Sequence, residues 1–205
     1  TSDIEVEQEL SRPYAYVSRM LHPTGFDIID LKNPATARVM YSWRIENGEL
    51  HQGTGAMAPT YLKSKGRYYF VQSVQFGQSG PDADLGAVVF DVTSLPDTSR
   101  VKEAARIRLP VAGGIHEDYS YKHSDGRALL FTTTPTQWVH IYDIDKVVGG
   151  DAGGGLVSRI PNPDSLNAGR FRGYHDFYVG YDPATKRDIF YGAGFVGYFV
   201  WDISR

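Results

Sequence analysis

The chain has 205 residues, enough for one large domain or two small ones. Its 41% hydrophobic, 22% charged and 13% aromatic residues are typical of a folded globular protein and exclude collagen-like, coiled-coil and disordered classes. The net charge of -3 argues against nucleic acid as a partner, and no apolar run reaches the ~18 to 20 residues of a membrane-spanning helix. Cysteine is absent, so any metal site must use His, Asp or Glu.

A short strand pattern recurs four times along the chain. Each copy is rich in β-forming residues and ends in an aspartate followed by an aliphatic residue, at Gly25 to Leu31, Gly86 to Val92, Trp138 to Ile144 and Gly197 to Ile203. Successive aspartates are 61, 52 and 59 residues apart. The pattern predicts a strand end at which the aspartate accepts hydrogen bonds from turn amides.

Further strands are predicted around each copy. First strands are expected at 3–7, 57–62, 116–121 and 175–179, second strands at 14–20, 68–74, 129–133 and 189–193, and fourth strands at 39–45, 101–109 and 156–160. Four up-and-down strands with such a repeat are typical of a β-propeller blade. We therefore predict an all-β chain of four-stranded antiparallel blades at about 1–47, 48–110, 111–163 and 170–205, in a single propeller domain or fragment over residues 1–205.

The last predicted blade has only three strands, so the propeller is not visibly closed. Closure needs the last blade to be completed, and residues 1–10 are already used as the inner strand of the first blade, so we expect the chain to be a fragment of a propeller with about six to eight blades. An open blade exposes a strand edge, which would be covered by the rest of its own propeller or by a second copy in a homo-oligomer.

The repeats resemble those of the LVIVD-repeat β-propellers of bacterial exported and cell-surface proteins. The resemblance is carried by Gly25 to Pro34, Gly86 to Pro96, and the pair formed by 174–179 and Gly197 to Ser204. It implies an extracellular, periplasmic or cell-surface location and a scaffold that binds a protein or polymer partner. A more distant similarity to selenium-binding protein (methanethiol oxidase) propellers would imply a metal held by His and carboxylates near the central axis.

Two histidines occupy equivalent positions in successive repeats. His116 lies 27 residues before Asp143, and His175 lies 27 residues before Asp202. Because both fall at the start of a first strand, we expect their side chains to share one space.

Carboxylates accompany these histidines. Glu117 and Asp118 follow His116, and Asp176 follows His175. A third histidine, His51, lies upstream of the first strand of the second blade. Imidazoles with carboxylates suit a divalent transition metal such as Zn, Cu or Fe. The alternative is structural, because a His-Asp pair at a strand start can also tie one blade to the next through backbone hydrogen bonds.

A long loop at 75–86 joins the second and third strands of the second blade. It carries Gln75, Gln78, Asp82 and Asp84, which we consider a candidate ligand-binding loop. Two aspartates without a distal Glu match a calcium loop poorly, so a solvated turn is the competing interpretation. The alternating aromatic residues of the strands, among them Tyr198, are expected to pack between blades.

Two functions remain open at this stage. The first is an exported interaction scaffold without catalytic activity. The second is a metal-dependent oxidase or hydrolase in which His116, His175 and His51 bind the metal and a neighbouring carboxylate acts as a ligand or general base.

Overall fold

The computed structural model describes residues 1–77, 80–163, 173–194 and 197–205. These residues form an all-β structure of four antiparallel sheets, with one short α-helix among them. The chain divides into two compact units, Thr1–Ile115 and His116–Arg205, each of which contains two sheets. The prediction of one domain over residues 1–205 stays a prediction. No helix in the described part of the chain has the length and apolar character needed to span a membrane.

Sheet 1 opens the first unit and has four strands in chain order. They are β1 (Ile4–Val6), β2 (Tyr14–Arg19), β3 (Gly25–Asp30) and β4 (Arg38–Arg44). All neighbours are antiparallel, so the chain runs up and down through the sheet as predicted. The turn after β3 contains a short 3-10 helix, Pro34–Thr36, which Asn33 caps through its side chain.

Sheet 2 completes the first unit. Its strands are β5 (Gly53–Ser64), β6 (Arg67–Phe76), β7 (Leu85–Asp91) and β8 (Lys102–Arg108), again in chain order and antiparallel. Strand β5 extends beyond the predicted 57–62 at both ends, and Pro59 lies within it next to a register shift, an irregularity at which a proline is tolerated in a strand.

Sheet 3 opens the second unit. Its strands are β9 (Asp118–Lys122), β10 (Ala128–Thr132), β11 (Trp138–Asp143) and β12 (Leu156–Pro161). Between β11 and β12 lies α1 (Ile144–Val148), a five-residue helix that the sequence pattern did not predict.

Sheet 4 has three antiparallel strands in the described residues, as predicted for the last repeat. They are β13 (Tyr174–Asp182), β14 (Arg187–Gly194) and β15 (Gly197–Asp202).

Aromatic side chains form the core between the two sheets of each unit. In the first unit the rings of Tyr16 and Phe70 stack with centroids 4.3 Å apart, and Phe26 meets Phe90 edge to face at 4.8 Å. In the second unit Phe190 packs against Phe131 and Phe177. The contacts of Phe70 with Tyr16 and of Phe190 with Phe131 join two sheets and confirm the predicted packing for these aromatics, whereas Phe177 and Phe190 belong to the same sheet.

The repeat aspartates end their strands as predicted. Each accepts a hydrogen bond from the backbone amide two residues further on, at 2.9 to 3.1 Å. They are Asp30, Asp91, Asp143 and Asp202. Each repeat therefore consists of a strand and of the aspartate at its end, whose carboxylate holds the start of the following turn by a hydrogen bond.

Candidate functional site

The two equivalent histidines lie side by side in the second unit. His116 lies just before β9 and His175 is the second residue of β13, and their ring centroids are 4.7 Å apart. The equal spacing of the repeats therefore correctly predicted that these side chains share one space. We call His116 and His175 the imidazole pair.

Local hydrogen bonds hold the backbone on both sides of the pair. After His116, the amide of Glu117 donates to the Oγ1 of Thr133 at 2.9 Å, and the amide of Thr133 donates to the Glu117 carbonyl at 2.9 Å. Before His175, the buried Tyr174 donates from its hydroxyl to the Pro161 carbonyl at 3.0 Å. A register shift in β13 between Tyr174 and Asp176 then places His175 outside the regular ladder.

The electrostatics of the pair favour a neutral imidazole at His116. Burial lowers the pKa of His116, and the nearby His175 lowers it further, while Asp176 acts in the opposite direction. The Nδ1 of His175 lies 3.5 Å from the Oδ2 of Asp176, and both side chains are more than half exposed. The imidazole pair thus consists of the partly buried His116 and the exposed His175, with the exposed carboxylate of Asp176 beside it. The imidazoles can donate or accept hydrogen bonds to a ligand, and the carboxylate can accept them.

The other predicted metal ligands of this unit differ in accessibility. Asp118 is buried at the start of β9, and Glu117 is partly buried beside it. Within residues 1–77, 80–163, 173–194 and 197–205, no group of three or more His, Asp or Glu side chains is arranged to hold a metal ion. A typical zinc site uses three or four protein ligands, so these donors do not form a recognisable centre, and the metal site stays a prediction.

His51, the third predicted imidazole, belongs to a separate network in the first unit. Its Nδ1 lies 2.9 Å from the Asn47 carbonyl oxygen and its Nε2 lies 3.1 Å from the Oδ2 of Asp82. Its ring also contacts that of Phe76 at 4.3 Å. Both ring nitrogens are therefore engaged with oxygen atoms of their own unit, and a metal ion would have to break one of these contacts.

The same network contains the aspartates of the long loop. The guanidinium of Arg108 binds Asp82 at 2.5 Å and Asp84 at 2.6 Å. Burial alone would raise the pKa of Asp82, but hydrogen bonds from Arg108 and His51 lower it. Arg108 occupies one oxygen of each carboxylate and compensates part of their charge, which favours the interpretation of this loop as a turn over that of a calcium site. Gln75 lies within β6, and Gln78 lies outside the described residues.

Sequence reasoning missed the contact that ties the two sheets of the second unit together. Fully buried Asp188 of β14 accepts hydrogen bonds from the amide and hydroxyl of Ser124 and from the Tyr121 hydroxyl. His123 contacts the Ile203 carbonyl oxygen through its Nε2 at 3.0 Å. His123 and Asp188 therefore tie sheets 3 and 4 together, and no local motif marks them because their partners lie far apart in the sequence.

Sequence reasoning also missed an exposed aromatic surface on sheet 4. An open cavity of about 610 Å³ is lined by Asp176, Phe177, Tyr178, Tyr191, Ala193 and Tyr198. Tyr178 and Tyr198 are large and exposed, whereas the strand pattern predicted Tyr198 to be packed between sheets.

Comparisons with known proteins leave the family open. No family model matches the sequence, and no curated protein that was compared with it matches either. The resemblance to LVIVD-repeat propellers, and the more distant one to selenium-binding protein propellers, therefore stay predictions that rest on the repeats quoted above.

Proposed function

We propose that this chain is a β-propeller-type interaction scaffold, exported or displayed at the cell surface, that binds a protein or polymer partner. Support for the architecture comes from four antiparallel up-and-down sheets, one for each sequence repeat, and from the face-to-face packing of the sheets within each unit. The proposed location follows from the resemblance to LVIVD-repeat proteins.

The observation that carries the proposal is the arrangement of the imidazole pair. His175 and Asp176 are exposed at the start of β13, and the ring of His116 lies beside His175. These groups can hydrogen-bond to the amides of a peptide or the hydroxyls of a polysaccharide without a metal ion. His175 and Asp176 lie within β13, and the hydrogen bonds between Glu117 and Thr133 hold the backbone next to His116, as a preorganised binding site requires.

Binding to a defined array of synthetic peptides and cell-surface polysaccharides tests this function. The wild-type chain is compared with a His116→Ala/His175→Ala double variant and with His22→Ala, which removes an exposed histidine of the first unit. We expect the wild type and His22→Ala to retain the same ligands and the double variant to lose them at least tenfold, with folding checked by circular dichroism. An array on which the wild type binds nothing, or on which all three proteins bind alike, would contradict the proposal.

A metal-dependent enzyme is the second candidate function. The 4.7 Å separation of the two imidazole rings favours it, because both rings could contribute nitrogen ligands to one ion. Inductively coupled plasma mass spectrometry after incubation with Zn²⁺, Cu²⁺ or Fe²⁺ and dialysis distinguishes the two candidates. Retention of a single equivalent by the wild type, lost in the folded double variant, would establish the metal site that the enzyme requires, and oxidase and hydrolase assays of the loaded protein would then test catalysis.

A further inference from the structure

The third strand of every sheet carries the repeat pattern, and one of its two faces is buried in sheets 1, 2 and 3 but exposed in sheet 4. The relevant residues are the second and fourth of each copy, whose side chains point to the same side of their sheet. Phe26 and Ile28, Ala87 and Val89, and Val139 and Ile141 are at most 5% exposed. The equivalent Tyr198 and Val200 are 64% and 55% exposed.

Cross-strand neighbours extend this exposed face over the whole of sheet 4. Val200 pairs with Tyr191, and Tyr191 pairs with Tyr178, which is 56% exposed. The ring of Tyr191 lies 6.3 Å from that of Tyr178 and 6.4 Å from that of Tyr198. We call Tyr178, Tyr191, Tyr198 and Val200 the tyrosine face. Contiguous apolar surface of this kind marks an interaction site.

The packing within the units indicates what covers such a face. In the first unit the face with Phe26 and Ile28 packs against the opposite face of the next sheet, which carries Val88 and Phe90. In the second unit Val139 and Ile141 share a core with Phe199 and Trp201 of the next sheet in the same way. In both units, the face that carries the second and fourth residues of the repeat strand packs against the next sheet. The face it meets there carries the third and fifth residues of that sheet's repeat strand.

Sheet 1 exposes a face of the required kind. On this face the fifth residue of the repeat is Ile29, which pairs with Val39 of β4, and the pairs of β1 with β2 place Ile4 and Val6 on the same side. The third residue is Asp27, which is 9% exposed and forms ion pairs with Arg19 and Arg44. Ile4 and Val39 are 55% and 54% exposed. We call Ile4, Val6, Ile29 and Val39 the aliphatic face. Aromatic and β-branched side chains pack favourably against each other between sheets.

We infer that the tyrosine face of one chain binds the aliphatic face of a second copy of the same chain. The contact continues the sheet packing seen inside each unit, so the inference rests on the sheet stacking of the proposed scaffold but not on the imidazole pair. Because the two faces differ, the association is head to tail, and each copy offers one face of each kind.

Charge substitutions on exposed positions test this association without disturbing either core. Tyr198→Lys with Val200→Lys blocks the tyrosine face, and Ile4→Lys with Val39→Lys blocks the aliphatic face. The matched control is Tyr181→Lys, which alters an exposed tyrosine of β13 on the opposite side of sheet 4. Molar mass is measured by size-exclusion chromatography with light scattering and by sedimentation velocity over a range of concentrations.

We expect the wild type and Tyr181→Lys to associate to at least twice the 22.8 kDa of one chain and to dissociate on dilution. Each blocked variant is expected to be a monomer alone. A mixture of the two blocked variants is expected to form a heterodimer, because each still carries the face that the other needs.

Three results would overturn the inference. They are a wild type that stays monomeric at every concentration, a blocked variant that still associates alone, and a mixture of blocked variants that does not associate. The histidine double variant separates this inference from the proposed function, since it is expected to lose ligand binding and to associate as the wild type does.

Discussion

His140 is a buried histidine whose surroundings oppose its protonation. It lies in β11, with Arg159 as its cross-strand neighbour and the Tyr142 hydroxyl 3.3 Å from its Nδ1. Burial, with a smaller contribution from Arg159, lowers the pKa of His140 to about 4. In the unfolded chain the same imidazole has the ordinary pKa near 6.5.

This difference predicts a loss of stability on acidification. Between pH 6.5 and about 4 the unfolded chain binds a proton at His140 that the folded chain does not, so the free energy of unfolding falls as the pH falls. At about 1.4 kcal/mol for each unit of pKa difference, the loss reaches about 3 kcal/mol at the acid end of this window.

A His140→Gln variant measures the contribution of this residue. Urea unfolding between pH 4 and 8 should give a shallower pH dependence for the variant than for the wild type, and the two slopes should agree above pH 7. Buried aspartates that also titrate at low pH are common to both proteins and cancel in the comparison. Parallel curves throughout would show that His140 is not the group responsible.

Asp143 does more than the other three repeat aspartates, because it also begins a helix. Its Oδ1 accepts hydrogen bonds from the amides of Asp145 and Lys146 at 3.0 and 3.3 Å, which caps the first turn of α1. A five-residue helix has little stability of its own, so its cap and its buried residues Ile144 and Val147 must hold it in place.

We expect Asp143→Ala to destabilise the protein by about 0.5 to 2 kcal/mol, the usual cost of losing an N-cap side chain. Asp143→Asn keeps an oxygen acceptor at the same position and should cost less. Thermal and urea unfolding of the two variants give the comparison. An equal loss in both would mean that the charge of Asp143, and not its capping hydrogen bonds, stabilises this turn.

The strands and the imidazole pair were predictable because both follow from local repetition. The strand pattern that ends in Asp correctly predicted β3, β7, β11 and β15. The equal spacing of His116 and His175 from that aspartate correctly predicted that the two rings lie close together. Helix α1 was not predicted, since its short sequence lies between a strand and a glycine-rich turn and shows no helical period.

Contacts between distant residues could not be predicted in the same way. Asp188 binds Ser124 across 64 residues, and its role depends on how sheets 3 and 4 pack within the second unit. Asp82 and Asp84, which the sequence suggested as ligand residues, likewise form ion pairs with Arg108 of the same unit. Such partners depend on strand register and side-chain geometry, which a single sequence does not contain.

At the scale of the whole molecule, the two units have cores of different size. Among the described residues, twenty-five buried hydrophobic side chains lie in the first unit and thirteen in the second. A smaller core buries less apolar surface, and the free energy of opening falls accordingly.

We therefore expect amides of the second unit to exchange with solvent more readily than those of the first. Native-state hydrogen exchange at increasing urea concentration should give a lower opening free energy for Leu130 of β10 than for Val71 of β6. The two residues are matched, since both are fully buried in the second strand of a sheet. Equal or reversed opening free energies would contradict the expectation that the unit with fewer buried hydrophobic side chains opens more readily.

Strand β15 bonds only to β14 within the described residues, which leaves the backbone groups along its other edge without a ladder partner there. Its sequence, Gly-Tyr-Phe-Val-Trp-Asp, is aromatic and β-branched, contains no proline and has its single charge at the last position. Six-residue segments of this composition are typical of cross-β spines, and an exposed edge is the template on which they grow. We therefore expect a well-folded preparation to be capable of fibrous aggregation through this strand, which would make solubility a property separate from folding stability.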